Sequence, residues 1–366
     1  MQAMPKWADA VLIPLISILL AFFFSGLTIL AIGKDPVVAI QTMVQGAFGS
    51  TNGLGYTLYY TTNFIFTGLA IAVAYHARLF NIGGEGQVML GGLGVALVCL
   101  AIDWPHWTLA LPAAMVGGAV FGAAWSFIPA YLQAKRGSHI VITTMMFNFI
   151  ASAFVGYILL NYLKVPGSMS TESAGFSAGA HLPTFHEMLA PFGINFNKNA
   201  PANISFLIAL LAAFGFWVLI WKTRLGYEIR SFGESESAAK YAGINPVRIT
   251  VIAMMISGAL CGLMAINNVM GEAERLIDNA PEGAGFIGIA VALMGRNHPV
   301  GIVLAALLFG FLYQGGAELT FWEAIPRELI IVIQGLVIMF TGALDNMVRA
   351  PLEKLFLTPR KNKKGA

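Results

Sequence analysis

Apolar residues run along this chain in long unbroken blocks, not in the alternating or every-third-residue patterns of a fold that keeps one face in water. A helical residue rises about 1.5 Å and the hydrocarbon core of a bilayer is about 30 Å thick, so a spanning helix needs about 20 apolar residues. Blocks near that length lie at 10–32, 56–76, 82–102, 107–133, 139–163, 203–222, 248–271, 284–296, 299–319 and 324–347. They predict an all-α, polytopic transmembrane helical bundle of about ten spans. The block at 284–296 is short and suits a half-helix enclosed by protein, where broken backbone is tolerated. The first block is too long for the apolar region of a cleavable signal peptide and reads as a first span. Two polar stretches interrupt the pattern. Residues 164–202 are rich in Gly, Pro, Ser and Asn, with a short helix expected near 186–190, and residues 223–247 are charged. The expected organisation is one membrane domain over 1–350 and a basic tail over 351–366.

Composition strengthens this reading. Hydrophobic residues make up 57% of the chain and charged residues 11%, against about 25% charged in soluble domains. Such a chain is solvated by lipid. No Lys/Arg patch is interleaved with aromatics, so nucleic acid is not an expected partner. With both termini inside, 16 of the 21 Lys and Arg fall on inner segments: Lys6, Arg78, Lys135, Arg136, Lys222, Arg224, Arg230, Lys240, Arg248, Arg296, Arg349, Lys354, Arg360, Lys361, Lys363 and Lys364. The remaining 5 are Lys34, Lys164, Lys198, Arg275 and Arg327. That bias satisfies the positive-inside rule. It makes 164–202 an external loop and 223–247 a cytoplasmic one, in a bacterial inner membrane. The outer side collects Glu272, Glu274, Asp278, Glu282, Glu318 and Glu323.

Catalytic chemistry is not expected. The chain has no phosphate-binding Gly-x-x-x-x-Gly-Lys-Ser/Thr loop and no His-Glu-x-x-His pair. It therefore does not hydrolyse ATP itself, and no cofactor is expected. Cys99 and Cys261 lie in apolar runs and read as small buried residues. The histidines lack metal-ligand spacing, so no metal is expected.

Polar groups inside the blocks are the candidates for a solute path, because they must face protein or water. The run Phe-Asn-Ile-Gly-Gly-Glu-Gly-Gln at 80–87 contributes Asn81, Glu85 and Gln87; a polar helix cap is the other account of it. In the fifth block Thr144, Asn148 and Ser152 share one helical face. That face is either a polar lining or a set of interhelical hydrogen bonds, and the second account is favoured. Tyr59, Asn63 and Phe66 share a face of the second block, where an aromatic beside an amide could hold a flat polar solute or simply pack. In the seventh block Ser257, Cys261 and Asn268 lie near one stripe, Asn267 adjoins it, and Gly258 and Gly262 suit close helix packing. A short echo, Ile-Ala-Val-Ala at 71–74 and again at 289–292, hints at an internal repeat.

The 223–247 stretch carries the clearest element. Glu234 or Ser235 can cap a short helix, Glu234 and Glu236 suit its positive end, and Lys240 its negative end. Gly243 supplies a stop, with Pro246 beyond it. Ala238 and Ala239 would then offer a small, smooth exposed face. A helix of two turns is marginal in water, so it needs a partner surface.

At residues 80–87, 137–148, 226–245 and 288–299 the chain resembles the permeases of ABC importers in the ribose, branched-chain amino acid and nucleoside group, and most of all the nucleoside-type (basic membrane lipoprotein-linked) permeases. The resemblance covers about residues 56–347. It implies a cytoplasmic ABC ATPase, an external solute-binding protein, and a second homologous permease chain, in a heterodimer in preference to a homodimer. It assigns ATPase coupling to Gly226, Glu228, Arg230, Glu234, Ser237, Ala238, Ala239, Tyr241 and Gly243. Many relatives carry Glu where Ile140 stands, which weakens transfer of a solute identity. The function expected is ATP-driven import of a small polar solute, a nucleoside or a sugar, by alternating access. The alternative is a secondary transporter or channel; such carriers usually need ionisable groups at span centres, which are nearly absent here.

Overall fold

The computed structural model describes residues 12–340. Lys6, the end of the last block beyond residue 340 and the basic tail lie outside them. The helices are α1 (Ile13–Ala31), α2 (Pro36–Phe48), α3 (Thr51–His76), α4 (Gly84–Ala101), α5 (Trp107–Arg136), α6 (Ile140–Ile158), α7 (Phe185–Leu189), α8 (Ser205–Lys222), α9 (Arg224–Glu234), α10 (Glu236–Tyr241), α11 (Pro246–Ala265), α12 (Ala284–Met294), α13 (Pro299–Trp322) and α14 (Arg327–Ile338). Among the described residues there are isolated β-bridges but no strand.

Every predicted block falls on a helix. Among the described residues, seven helical segments are long and apolar enough to cross a membrane, or up to eight if the bent pair α1–α2 is one span. Ala284–Met294 is a short apolar helix of 11 residues, as expected of the eighth block. Helix α2 was not predicted: Gln41, Thr42 and Gln45 dilute its hydrophobic run. It leaves α1 at an angle of 117°, across a break where Gly33 adopts φ 79°.

The chain divides into two compact units. In the unit formed by 12–44 and 315–340, Phe24 of α1 stacks on Phe340 at 4.9 Å, and Lys34 donates to the carbonyl of Glu323.

The larger unit, 45–314, is built on a close approach of α4, α5 and α11. Gly122 packs against the backbone of Gly258, and Gly118 and Gly91 against that of Gly262; a Cβ at any of these positions would collide with the facing main chain. This is small-residue packing, which lets helices gain dispersion contacts where lipid offers no hydrophobic drive. Buried residues fill 83% of the apolar window of α3 and 78% of that of α4, but only 28% in α5, α6 and α8. The outer helices therefore turn residues such as Val116, Phe149 and Leu211 outward, as a lipid-solvated surface requires.

Helices α6 and α11 end in wider turns. α6 continues as a π-helix over Leu159–Leu163 and α11 over Ile266–Glu272. The expected short helix in 164–202 is α7, closed by a capping box between Thr184 and Glu187. This loop is tied to the segment after α11 by a Glu172–Arg275 ion pair at 3.1 Å and by Ser173 N–H to the Leu276 carbonyl at 2.9 Å.

Candidate functional site

A cavity of about 210 Å³ opens beside the first half of α3. Tyr56, Tyr59, Tyr60 and Asn63 of α3 line it, with Asn268 and Glu272 of the π-helical turn, Ala280 to Glu282 of the following loop, and Tyr313 of α13. Tyr59 meets Tyr60 edge-on at 5.3 Å, and Tyr60 meets Tyr313 at 5.4 Å. The wall is thus aromatic and amide-bearing at once.

Asn267 stands behind this wall. Its Nδ2 donates to Asn63 Oδ1 at 2.8 Å and to the Tyr59 carbonyl at 3.0 Å, and its Oδ1 accepts from Asn203 Nδ2 at 3.1 Å. Asn268, one residue on, donates through Nδ2 to the Ala280 carbonyl at 3.0 Å. A wider helical turn lets neighbouring asparagines serve the scaffold and the cavity.

The 80–87 run has a different use. Glu85 Oε1 accepts from Gly283 N–H at 2.7 Å and Oε2 from Gly285 N–H at 2.8 Å. It caps α12, whose own N-cap, Gly283 at φ 89°, supplies no side chain. Asn81 Nδ2 donates to Gln87 Oε1 and to Ser257 Oγ, each at 2.9 Å, and its Oδ1 accepts from Gly83 N–H. Asn148 Oδ1 accepts from Gly86 N–H, while its Nδ2 donates to the Ile82 carbonyl, both at 2.9 Å. The glycine-rich start of α4 is therefore held by Asn148 of α6, which takes up a donor that its own helix leaves open, while Asn81 just before it is tied to Ser257 of α11.

Of the ten residues expected on the solute path, Tyr59, Asn63 and Asn268 line the cavity and Asn267 braces it. Asn81, Glu85, Gln87 and Asn148 form the buried polar scaffold around the start of α4. Phe66 is fully buried away from the cavity lining, and Thr144 bonds back to the Ile140 carbonyl of its own helix. Tyr56, Tyr60, Tyr313, Glu272 and Glu282 were not singled out as path residues. The spacing of Tyr56 and Tyr60 on the same helical face as Tyr59 was the signal available for two of these three aromatics.

The 223–247 stretch forms two helices, where one was expected. Thr223 Oγ1 accepts from Gly226 N–H at 3.0 Å and starts α9. Gly226 is buried against the Leu219 and Ile220 carbonyls, Glu228 pairs with Arg224 at 3.0 Å, and Arg230 Nε donates to the Ile220 carbonyl at 3.1 Å. Ser235 caps α10 by accepting from Ala238 N–H at 3.3 Å, and Gly243 takes φ 83°. The expected caps are present. Lys240 and Glu236 form an exposed pair at 3.3 Å. Ala238, Ser237 and Tyr241 are exposed, but Ala239 is not: at 3% exposure it turns inward. The smooth face expected from both alanines is reduced to Ala238, because α9, unseen in the sequence, lies on the other side of α10. Between α9, α10 and the end of α3 runs a groove of about 630 Å³ lined by His76, Tyr227, Arg230, Glu234 and Ala238.

Residues 53–342 match the family described as Branched-chain amino acid transport system / permease component. The chain is similar to the guanosine ABC transporter permease protein NupP of Bacillus subtilis (strain 168), 34% identical over 93% of this chain and 95% of that protein. It is similar to the glucose ABC transporter permease protein TsgB13 of Haloferax volcanii, 33% identical over 93% of this chain and 88% of that one. It is also similar to the nucleoside ABC transporter permease protein NupB of Lactococcus lactis subsp. cremoris, 33% identical over 90% of each chain. No solved structure matches. Permeases of this kind work with an ATPase partner and a solute-binding protein. A multi-pass helical bundle, a cavity lined by aromatic and amide groups, and a match over most of the sequence agree: the chain belongs to the branched-chain amino acid transport system permease family and is the membrane permease component of an ABC importer, a transport subunit whose ATPase is a separate chain.

Proposed function

We propose that this permease moves a nucleoside or a sugar into a bacterial cell, across the inner membrane, through the cavity beside α3. The single observation that carries this is the lining itself, with tyrosines from two helices set against the amides of Asn63 and Asn268. Aromatic faces hold a base or the apolar face of a sugar ring, and amides meet its polar edge. The relatives named for guanosine, nucleoside and glucose transport support the same solute class.

In this reading both termini are cytoplasmic and the bundle crosses about ten times, counting the half-helix α12. Residues 164–202 face the solute-binding protein, and 223–247 form the coupling element. Residues 1–350 form one membrane domain followed by a basic tail. ATP binding in the partner shifts α9 and α10, and α9 adjoins the ends of α3, α8 and α11. Alternating access follows if that shift moves α3 and α11, whose outer portions carry the cavity wall. A second, different permease chain completes the complex. Support comes from Bacillus subtilis, whose guanosine permease proteins NupP and NupQ are both similar to this chain.

The test is uptake by proteoliposomes holding the full importer with its binding protein inside or outside as orientation requires. Tritiated guanosine and glucose are offered in parallel, with ATP supplied on the ATPase side. ATP-dependent accumulation of either supports the reading; accumulation of neither, with an assembled and ATP-hydrolysing complex, refutes it.

A further inference from the structure

The cavity beside α3 carries polar groups of one electrical character. Its lining includes four tyrosines, two asparagines and the acids Glu272 and Glu282, and among the described residues no Lys, Arg or His. Asn268 is only 3% exposed. Its Nδ2 donates to the Ala280 carbonyl at 3.0 Å, which settles the amide orientation, since the reverse would set Oδ1 against a carbonyl oxygen. Oδ1 is then left buried with no hydrogen-bond partner among the described residues. Buried acceptors are nearly always paired, because an unpaired one forfeits its hydration for nothing. Asn63 differs, since its Oδ1 already accepts from Asn267 at 2.8 Å. The open acceptor on this wall therefore belongs to Asn268.

We propose that the cavity selects a neutral solute bearing N–H or O–H donors, that Asn268 Oδ1 is the acceptor that reads one of those donors, and that Glu272 and Glu282 reject anionic forms such as phosphate esters. The inference rests on the cavity being the solute site and adds which residues discriminate there. A phosphate ester brings about −1.5 to −2 charges near pH 7. Glu272 and Glu282 are both exposed where they meet the cavity, so they repel an anion as it approaches, most strongly at low salt, and no cation on the lining offsets it. A neutral solute avoids this repulsion and closes the open acceptor of Asn268.

The test uses two pairs that differ only by phosphate: guanosine with guanosine 5′-monophosphate, and glucose with glucose 6-phosphate. Each is competed against its tritiated neutral member on the permease–ATPase complex in nanodiscs, without the solute-binding protein, so that the binding protein's own selectivity does not enter. In the wild type the neutral solute should compete at least about tenfold better than its phosphate ester. The double variant Glu272→Gln, Glu282→Gln should shrink that ratio by about tenfold. Asn268→Leu should weaken the neutral solute by about tenfold, the equivalent of one lost hydrogen bond. Asn268→Gln, which keeps both the acceptor and the N–H donor, should recover part of the loss, and this contrast holds even if the leucine variant packs poorly. If neither neutral solute binds, the solute-cavity reading falls and the inference with it. If one binds but Asn268→Leu leaves its affinity unchanged, or Asn268→Gln recovers nothing, or the phosphate competes equally in the wild type, the inference alone is overturned.

Discussion

Glu85 holds Gly285: its Oε2 accepts the glycine N–H at 2.8 Å, and its other oxygen accepts from Gly283 at 2.7 Å. The first N–H groups of any helix lack partners within it, and α12 starts at a glycine that offers no side chain. A carboxylate from α4 fills that place, and the positive end of the α12 dipole favours it. The loop leading into α12 carries Ala280, Pro281 and Glu282, which line the cavity, so this clamp also sets the cavity wall.

Replacing Glu85 with Gln leaves one acceptor and points an amide N–H at a backbone donor. An unsatisfied buried N–H costs about 1–3 kcal/mol. Glu85→Gln should lower the thermal unfolding midpoint of the purified protein in nanodiscs and reduce solute uptake at equal membrane abundance. Unchanged melting and uptake would reduce the clamp to a fortuitous contact.

The helix contact that anchors the larger unit makes a second expectation. Gly258 lies against the Gly122 carbonyl and the side chain of Ser126. A valine there must push two backbones apart, and overpacking costs about 1–3 kcal/mol or more. Gly258→Val should lower the yield of monodisperse protein in mild detergent. Gly156→Val, at a helical glycine with open space around it, should leave that yield near wild type. Equal yields from both variants would show that the α5–α11 approach is not needed.

These cases mark where sequence reasoning reaches and where it stops. Caps are local: Ser235 and Gly243 announced α10, and the 186–190 helix proved to be α7 with its Thr184–Glu187 box, because each signal sits within a few residues of its effect. Helix α9 stayed hidden although Leu225, Ile229 and Phe232 fall at helical spacing, because the segment is polar as a whole and does not stand out beside ten strong apolar blocks. Asn267 and Asn268 were recognised as polar, yet their division of labour depends on a π-helical turn that a spacing of 3.6 residues does not anticipate. Glu85 was recognised as a residue that must face protein or water, with a polar cap as one account of it. That it caps α12, nearly two hundred residues away, is a tertiary fact.

The burial of Ala239 refines the coupling test. An acidic side chain at 239 would disturb the loop itself, so its effect would not isolate the ATPase interface. Ala238 and Tyr241 are exposed, Tyr241 at 97%, and they remain free to meet a partner. A charge buried unpaired at an interface costs about 2–5 kcal/mol. Ala238→Glu should therefore abolish uptake and solute-stimulated ATP hydrolysis while the chain inserts and melts normally. Normal stimulation in Ala238→Glu would make the 223–247 stretch a mere connector.

Orientation is the remaining expectation, and the structure decides how to test it. The Lys/Arg distribution predicts 164–202 outside and 223–247 inside. Ser173 would be a poor reporter outside, because it is 2% exposed and bonded to the Leu276 segment. Met169 in the same loop is fully exposed and Ser237 is exposed in the other. The two native cysteines, Cys99 and Cys261, are buried, so background labelling of the wild-type chain should be low. In intact spheroplasts Met169→Cys should react with a membrane-impermeant maleimide and Ser237→Cys should not. After permeabilisation both should react. A reversed pattern would invert the bundle, take the 223–247 helices away from any cytoplasmic ATPase, and leave the coupling assignment without a site.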